Sequence, residues 1–369
     1  MLFRKITTLL ILFIFHILNV NSQQYSFLSG LVIKPYCHYG FIINHHREMA
    51  YFTDRHIAPF EINILKKTNG KKSWHKLYNY PDIGIGLFTS SFSSSEILGT
   101  VIASYPFMNF IFQAKPLNFT TKIGTGLGYF TNKFHRYENI KNLAISTTIN
   151  AVISLREEAS FKISSVADIN FGIGITHFSN GAFKTPNLGL NIFTVSSAIA
   201  LYPWGKTNIL KDTNTDIKEN NQKAITISHW FAGAIKETYP VYGKKFKALS
   251  LSNDVIIATK SKKNYIGLGI DFFYDESDIK YLKDYEIQFN NNIEAIRIGI
   301  SAINEFKFNK LAFNQYLGFY IYSKNKSNGP FYQRLSLRYN IYKKMFACVS
   351  LKTHWGKADF TEWGIGYRY

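Results

Sequence analysis

The sequence predicts an all-β fold, a transmembrane antiparallel β-barrel of about 14–16 strands. Three observations predict it. Apolar and polar residues alternate with period two in segment after segment. Polar, turn-forming stretches separate those segments, and several segments carry glycines at alternate positions.

The amino terminus comes first. Arg4 and Lys5 precede an apolar run from Leu9 to Leu18, and polar Asn21, Ser22 and Gln23 follow. That is the layout of a cleaved secretory signal, expected over residues 1–22. The run falls short of the roughly 18 residues or more that a membrane-anchoring helix needs. No cysteine lies beside the cleavage region to carry a lipid. Residues 23–369 show no linker of distinct composition and are expected to form one barrel domain.

Candidate strands then follow in order: Ile83–Phe92, Phe119–Phe130, Leu143–Leu155, Phe161–Phe178, Leu190–Tyr202, Phe246–Thr259, Tyr265–Tyr274, Ile293–Ile303 and Tyr332–Tyr342. Turn mixtures such as KKTNGKK, NKFHRYENIKN, YPWGKTN and SKNKSNGP lie between them. Residues 45–56, 208–221 and 275–291 read as loops. The pairs Gly84/Gly86, Gly124/Gly126, Gly172/Gly174, Gly267/Gly269 and Gly364/Gly366 each point one way. Small residues are expected inward and the aliphatic stripe outward toward lipid. A soluble β-sandwich would also bury one apolar face. The chain ends EWGIGYRY, a terminal strand expected to close the barrel against its first strand and set an aromatic ring at the membrane boundary.

Composition excludes some classes. Hydrophobic residues make up 46% and aromatics 17% of the chain, with no later run long enough for a spanning helix. Cys37 and Cys348 cannot build a disulfide framework, and no metal-ligand spacing occurs. The formal charge of +19 is scattered over turns and strands. For an exported chain it reads as solubility and export chemistry or as attraction to an anionic membrane surface, rather than as a nucleic-acid partner. Trp74, Trp204, Trp230, Trp355 and Trp363 read as interface or packing residues.

The chemistry concentrates in THFSNGAFKTPNLGLN, residues 176–191. If both termini are periplasmic, residues 161–179 form the seventh strand, and His177 and Ser179 sit near its outer end. Positions i and i+2 share a face, so the imidazole can act as base toward the hydroxyl. Asn180 or the Gly181 N–H could meet a developing oxyanion, and Lys184 could meet an anionic headgroup. From spacing alone, the commoner reading is a rim histidine that only hydrogen-bonds or lies at the headgroup level.

The segment GITHFSNGAFKTPNLGLN resembles the active-site segment of the outer-membrane lipid A 3-O-deacylase (PagL-like) or acyloxyacyl hydrolase family. HHREMAYFTDRH, YPDIGIG and HWGKADFTEWGIGY are similar to stretches of its longer version in Bacteroidetes-type bacteria. The resemblance implies an esterase in the outer membrane of a Gram-negative bacterium that removes an ester-linked acyl chain from lipid A or lipopolysaccharide, with no cofactor or metal. It implies His177 as base, Ser179 as nucleophile and Asn180 as oxyanion contributor. The family places a glutamate about fourteen residues after the histidine. Asn191 stands there, able to hold a tautomer but not to stabilise imidazolium by charge; Glu138, Asp359 and Glu362 are other acids to consider. Small members form eight-stranded barrels, so this chain is much larger. An outer-membrane phospholipase and a non-catalytic, porin-like channel are the rival readings.

Overall fold

A computed structural model of the chain describes residues 30–52, 55–114, 117–206 and 225–369. The expected signal peptide, Asp54 and the expected loop at 208–221 lie outside the described residues. The expectation of an all-antiparallel β-fold holds, and the sixteen strands of the described residues fall within the expected number. They do not close as one ring. They form two closed barrels of eight.

The first barrel runs β1 (Leu31–Ile42), β2 (Phe60–Lys67), β3 (Asp82–Ser91), β4 (Thr100–Ala114), β5 (Leu117–Phe130), β6 (Ile149–Lys162), β7 (Ala167–Ser179) and β8 (Leu190–Leu201). It closes where β8 pairs with β1, with Ile192 opposite Ile42 and Ala198 opposite Tyr36. The second runs β9 (Ile225–Glu237), β10 (Lys245–Ala258), β11 (Asn264–Asp275), β12 (Arg297–Phe308), β13 (Leu311–Tyr322), β14 (Phe331–Tyr342), β15 (Met345–His354) and β16 (Lys357–Arg368). The terminal strand therefore meets not β1 but β9, the first strand of its own barrel, with Gly364 opposite Ala232. By contacts the chain groups into two units, one built on each set of eight strands, with the turn Asn180–Asn187 grouped with the second.

Eight strands enclose a space just wide enough for side chains to fill, and both interiors are filled. In the first barrel, Glu61 receives Lys122 and Arg156, and Glu158 receives Lys34 and, at 2.8 Å, the Tyr36 hydroxyl. Toward the ends of β5 and β7 the filling turns apolar: Phe178 stands edge-on to Phe130 at 5.2 Å, with Val101, Val152, Leu190 and Ile192 around them. In the second barrel, Arg334 donates from Nη1 to Asp271 at 2.8 Å and from Nε to Glu362 at 3.0 Å, its guanidinium 4.2 Å from the centre of the Trp230 ring. Arg338 donates to Asp254 at 2.7 Å.

The glycine pairs lie on the inward face, as the period-two reading expects, with Ile83, Ile85 and Leu87 or Ile173 and Ile175 exposed on the other. At Gly86, Gly124 and Gly366 they leave room for rings, as Gly318 does outside the pairs. A Cβ on Gly318 would fall 2.0 Å from Tyr332 Cζ, and one on Gly124 would fall 2.7 Å from Tyr105 Cδ2.

Three expected strand starts shift, each because a polar side chain diverts the backbone. Residues 143–148 are loop, not strand: the Ile145 N–H donates to Asn142 Oδ1 at 3.1 Å, burying Ala144 and Ile145. Phe161 and Lys162 end β6, and Ser164 Oγ accepts the Ala167 N–H at 3.0 Å to turn into β7. Asn291 Oδ1 accepts the Ile293 N–H at 3.0 Å, starting a 3-10 turn so that β12 begins only at Arg297. The expected loop at 275–291 contains a helix, Glu276–Asp284, capped by Asp275 and tied down through Asp278, which accepts from Arg297 Nε at 2.6 Å.

Two stability outcomes follow. Arg334→Ala leaves Asp271 and Glu362 buried without their cation and is expected to cost about 3–5 kcal/mol, read as a lower urea midpoint. Gly318→Val drives a branched side chain into the Tyr332 ring and is expected to cost about 1–3 kcal/mol or more. The folded band on an unheated gel should weaken accordingly.

Candidate active site

The site begins with strand alternation. Along β7, Phe171, Ile173 and Ile175 are exposed on the outward face, and His177 and Ser179 continue that stripe, each half-buried. β7 is the seventh strand in chain order, as expected. Two residues of strand separate the paired positions, about 6.8 Å along the chain. Between them Phe178 points inward and is fully buried. Burying such a ring stabilises the fold by about 1.5–3 kcal/mol, so the backbone carrying His177 and Ser179 is clamped from inside.

The neighbouring strand supplies the partner. In the β7–β8 register His177 lies opposite Asn191, and His177 Nδ1 is 2.7 Å from Asn191 Oδ1. An amide oxygen only accepts, so Nδ1 carries the proton and Nε2 presents its lone pair. Asn191 thus stands beside the His177 ring, across the hairpin. The alternative acids are engaged elsewhere. Glu362 accepts from Arg334, Asp359 accepts from Lys352 at 2.6 Å, and the exposed Glu138 lies 3.5 Å from His135.

Asn180 opens the turn after β7. Its N–H donates to Asn187 Oδ1 at 3.1 Å, and its Nδ2 donates to the Lys184 carbonyl at 3.0 Å. Gly181 and Ala182 continue with φ of +63° and +65°, a left-handed pair that tightens the bend. Lys184 is half-buried, with Nζ 4.7 Å from the centre of the Tyr242 ring. Asn180 and Lys184 are therefore brought together as parts of one turn, whereas His177 and Asn191 form a cross-strand pair.

Two residues escape the sequence reading. Gly189, at φ +76°, packs so closely that a Cβ there would lie 3.0 Å from His177 Cε1. His45, assigned to a solvated loop, has Nε2 3.0 Å from the Leu188 carbonyl and Nδ1 3.1 Å from the Ile43 carbonyl. It ties the β1–β2 connection to the residue before Gly189. A glycine preceding the β8 pattern gave a signal for the first; the contact of His45 spans 143 residues and left none. Among the described residues, no group of three or more His, Cys, Asp or Glu converges to hold a metal.

Comparisons with known proteins separate the chain at the same place as the strand pairing. The family model described as lipid A 3-O-deacylase (PagL) matches residues 59–200, and that described as acyloxyacyl hydrolase, C-terminal domain, matches residues 225–369. Among solved structures, the outer membrane enzyme PagL is 14% identical over 45% of this chain and 97% of that one, with a TM-score of 0.32. A triple-mutant porin of Rhodopseudomonas blastica is 8% identical over 92% and 99%, and Omp33 of Acinetobacter baumannii 7% over 92% and 97%, both with TM-scores of 0.18. No curated protein matches the chain. The chain belongs to the PagL and acyloxyacyl hydrolase family of the Gram-negative outer membrane, whose hydrolases are of the lipid A deacylase type.

Proposed function

We propose that the protein is a serine esterase that removes an ester-linked acyl chain from lipid A or lipopolysaccharide in the outer leaflet. The observation that carries this reading is the 2.7 Å contact between His177 Nδ1 and Asn191 Oδ1 on the outward wall of the first barrel. It leaves the Nε2 lone pair as the base, two residues from the hydroxyl of Ser179.

In this reading Ser179 Oγ attacks the ester carbonyl while His177 Nε2 takes its proton. The oxyanion is met at the turn that Asn180 opens, the residue to which the family resemblance gives that part. Collapse breaks the bond to the sugar oxygen, which leaves with the proton from His177. Water then attacks the acyl-enzyme, His177 accepts its proton and returns it to Ser179, and the fatty acid departs. Lys184 would meet an anionic group of the lipid head, and the exposed Ile175, Ile173 and Phe171 would face its acyl chain. The ion-paired interiors support a wall-borne reaction over conduction through either barrel.

Mass spectrometry of lipid A tests the reading. Membranes incubated with the native protein are expected to lose one ester-linked acyl chain, and those incubated with equally folded Ser179→Ala are not. Unchanged lipid A with both proteins, or equal deacylation by both, would overturn it; loss of acyl chains from phospholipid alone would reassign the substrate.

A second outcome isolates Asn191. Side-chain nitrogen NMR of selectively labelled histidine is expected to find His177 as the Nδ1–H tautomer in the native protein and as a mixture in Asn191→Ala. Deacylation by that variant should fall about tenfold or more, short of the roughly 10²–10⁴-fold that a positioned general base itself contributes.

A further inference from the structure

In the second barrel, antiparallel alternation returns every even-numbered strand to the same end. Three tight connections lie there: residues 259–263 after β10, 309–310 after β12 and 343–344 after β14. They hold six lysines, Lys260, Lys262, Lys263, Lys310, Lys343 and Lys344, and no acid. All six are exposed. The opposite end is mixed in sign, with Glu276, Asp284, Glu286 and Glu294 in the connection that contains the helix.

Two of these lysines occupy backbone positions that favour glycine or asparagine. Lys262 has φ of +55° and Lys343 of +46°, a left-handed conformation that costs about 1–2 kcal/mol for an ordinary side chain. A turn selected only for folding would place Gly or Asn there. Immediately strandward stands a tyrosine collar on the outward face: Tyr339, Tyr342, Tyr367 and Tyr369 are 52%, 62%, 40% and 50% exposed. Lys343 Nζ lies 5.1 Å from the Tyr342 ring centre, and Lys344 Nζ 5.8 Å from those of Tyr367 and Tyr369. Beyond the collar the outward face of β14 and β16 is aliphatic, with Leu335 and Ile365 exposed.

Read along the strands, the order is hydrocarbon-facing aliphatic, interfacial phenol, then ammonium, the order a bilayer imposes from its core to its phosphates. Short turns of outer-membrane barrels lie on the periplasmic side. We propose that this lysine rim docks anionic phospholipid headgroups of the leaflet at the short-turn end, each phosphate set between ammonium groups above the tyrosine collar. A soluble polyanion would be drawn by the charge but would make no use of the collar.

The test uses the full mature chain in neutral detergent, with native mass spectrometry counting bound dioleoylphosphatidylglycerol against dioleoylphosphatidylcholine. Two triple variants remove the same charge from opposite ends, K263Q/K310Q/K344Q at the rim and K283Q/K326Q/K357Q at the other. The native chain is expected to prefer phosphatidylglycerol, and the rim triple to weaken that binding about tenfold or more. The opposite-end triple should bind as the native chain does. If the rim triple does not fold, K310Q and K344Q alone should each give a smaller shift in the same direction. Equal losses in both triples, or no preference in the native chain, would overturn the proposal. So would displacement of the lipid by inorganic phosphate at equal concentration, which would mark an anion site indifferent to lipid.

Discussion

The constraint on which everything else rests is the backbone hydrogen bond in a solvent that cannot supply one. A strand edge in hydrocarbon leaves N–H and C=O groups unmet at several kcal/mol each, so every strand must have two neighbours. This chain meets that demand twice, once where β8 returns to β1 and once where β16 returns to β9. Closure at eight has a second consequence. The interior is too narrow for a water channel and must be packed with side chains, yet period two sends the polar residues inward. Buried cations and carboxylates then have to satisfy one another, as Arg156 and Lys122 do with Glu61, and Arg334 with Asp271 and Glu362.

Alternation also determines where chemistry can stand. Since the inward residues are committed to packing and ion pairs, a reactive pair open to a lipid has to lie on the outward face. His177 and Ser179, the pair proposed to react, lie on that face, while Phe178 between them is locked into the apolar end of the first barrel against Phe130 and Phe88. His177 and Ser179 are held by a strand whose back is a packed core, while Asn180 and Lys184 stand on the turn that follows it.

Much of this was legible in the chain. The alternation of FGIGITHFS showed which face His177 occupies, and the order of strands placed it on the seventh. Closure was less legible, because period two specifies which way a side chain points but not which strand meets which. An eight-stranded and a sixteen-stranded ring use the same alternation. The break after Tyr202, read as one more loop, is the boundary at which the pairing restarts with Ile225. Sequence distance hid the rest of the site. Asn191 was named only through the family resemblance, which sets a residue about fourteen positions after the histidine, whereas the tie between His45 and Leu188 joins the β1–β2 connection to the β7–β8 connection across the closure of the barrel. Local side-chain capping by Asn142, Ser164 and Asn291 moved the ends of strands without changing their order.

The asparagine at position 191 makes physical sense in this setting. On the outward wall an orienting carboxylate would have to stay ionised beside hydrocarbon, with its desolvation only partly offset by a neutral imidazole. An amide oxygen at 2.7 Å holds Nδ1–H in place without that charge. In the proposed reaction, what it would give up is attraction to the imidazolium formed as Ser179 attacks, a term that would grow as the site dries under an incoming acyl chain. The balance favours a resting enzyme with its tautomer fixed and a transition state less stabilised than a carboxylate would make it.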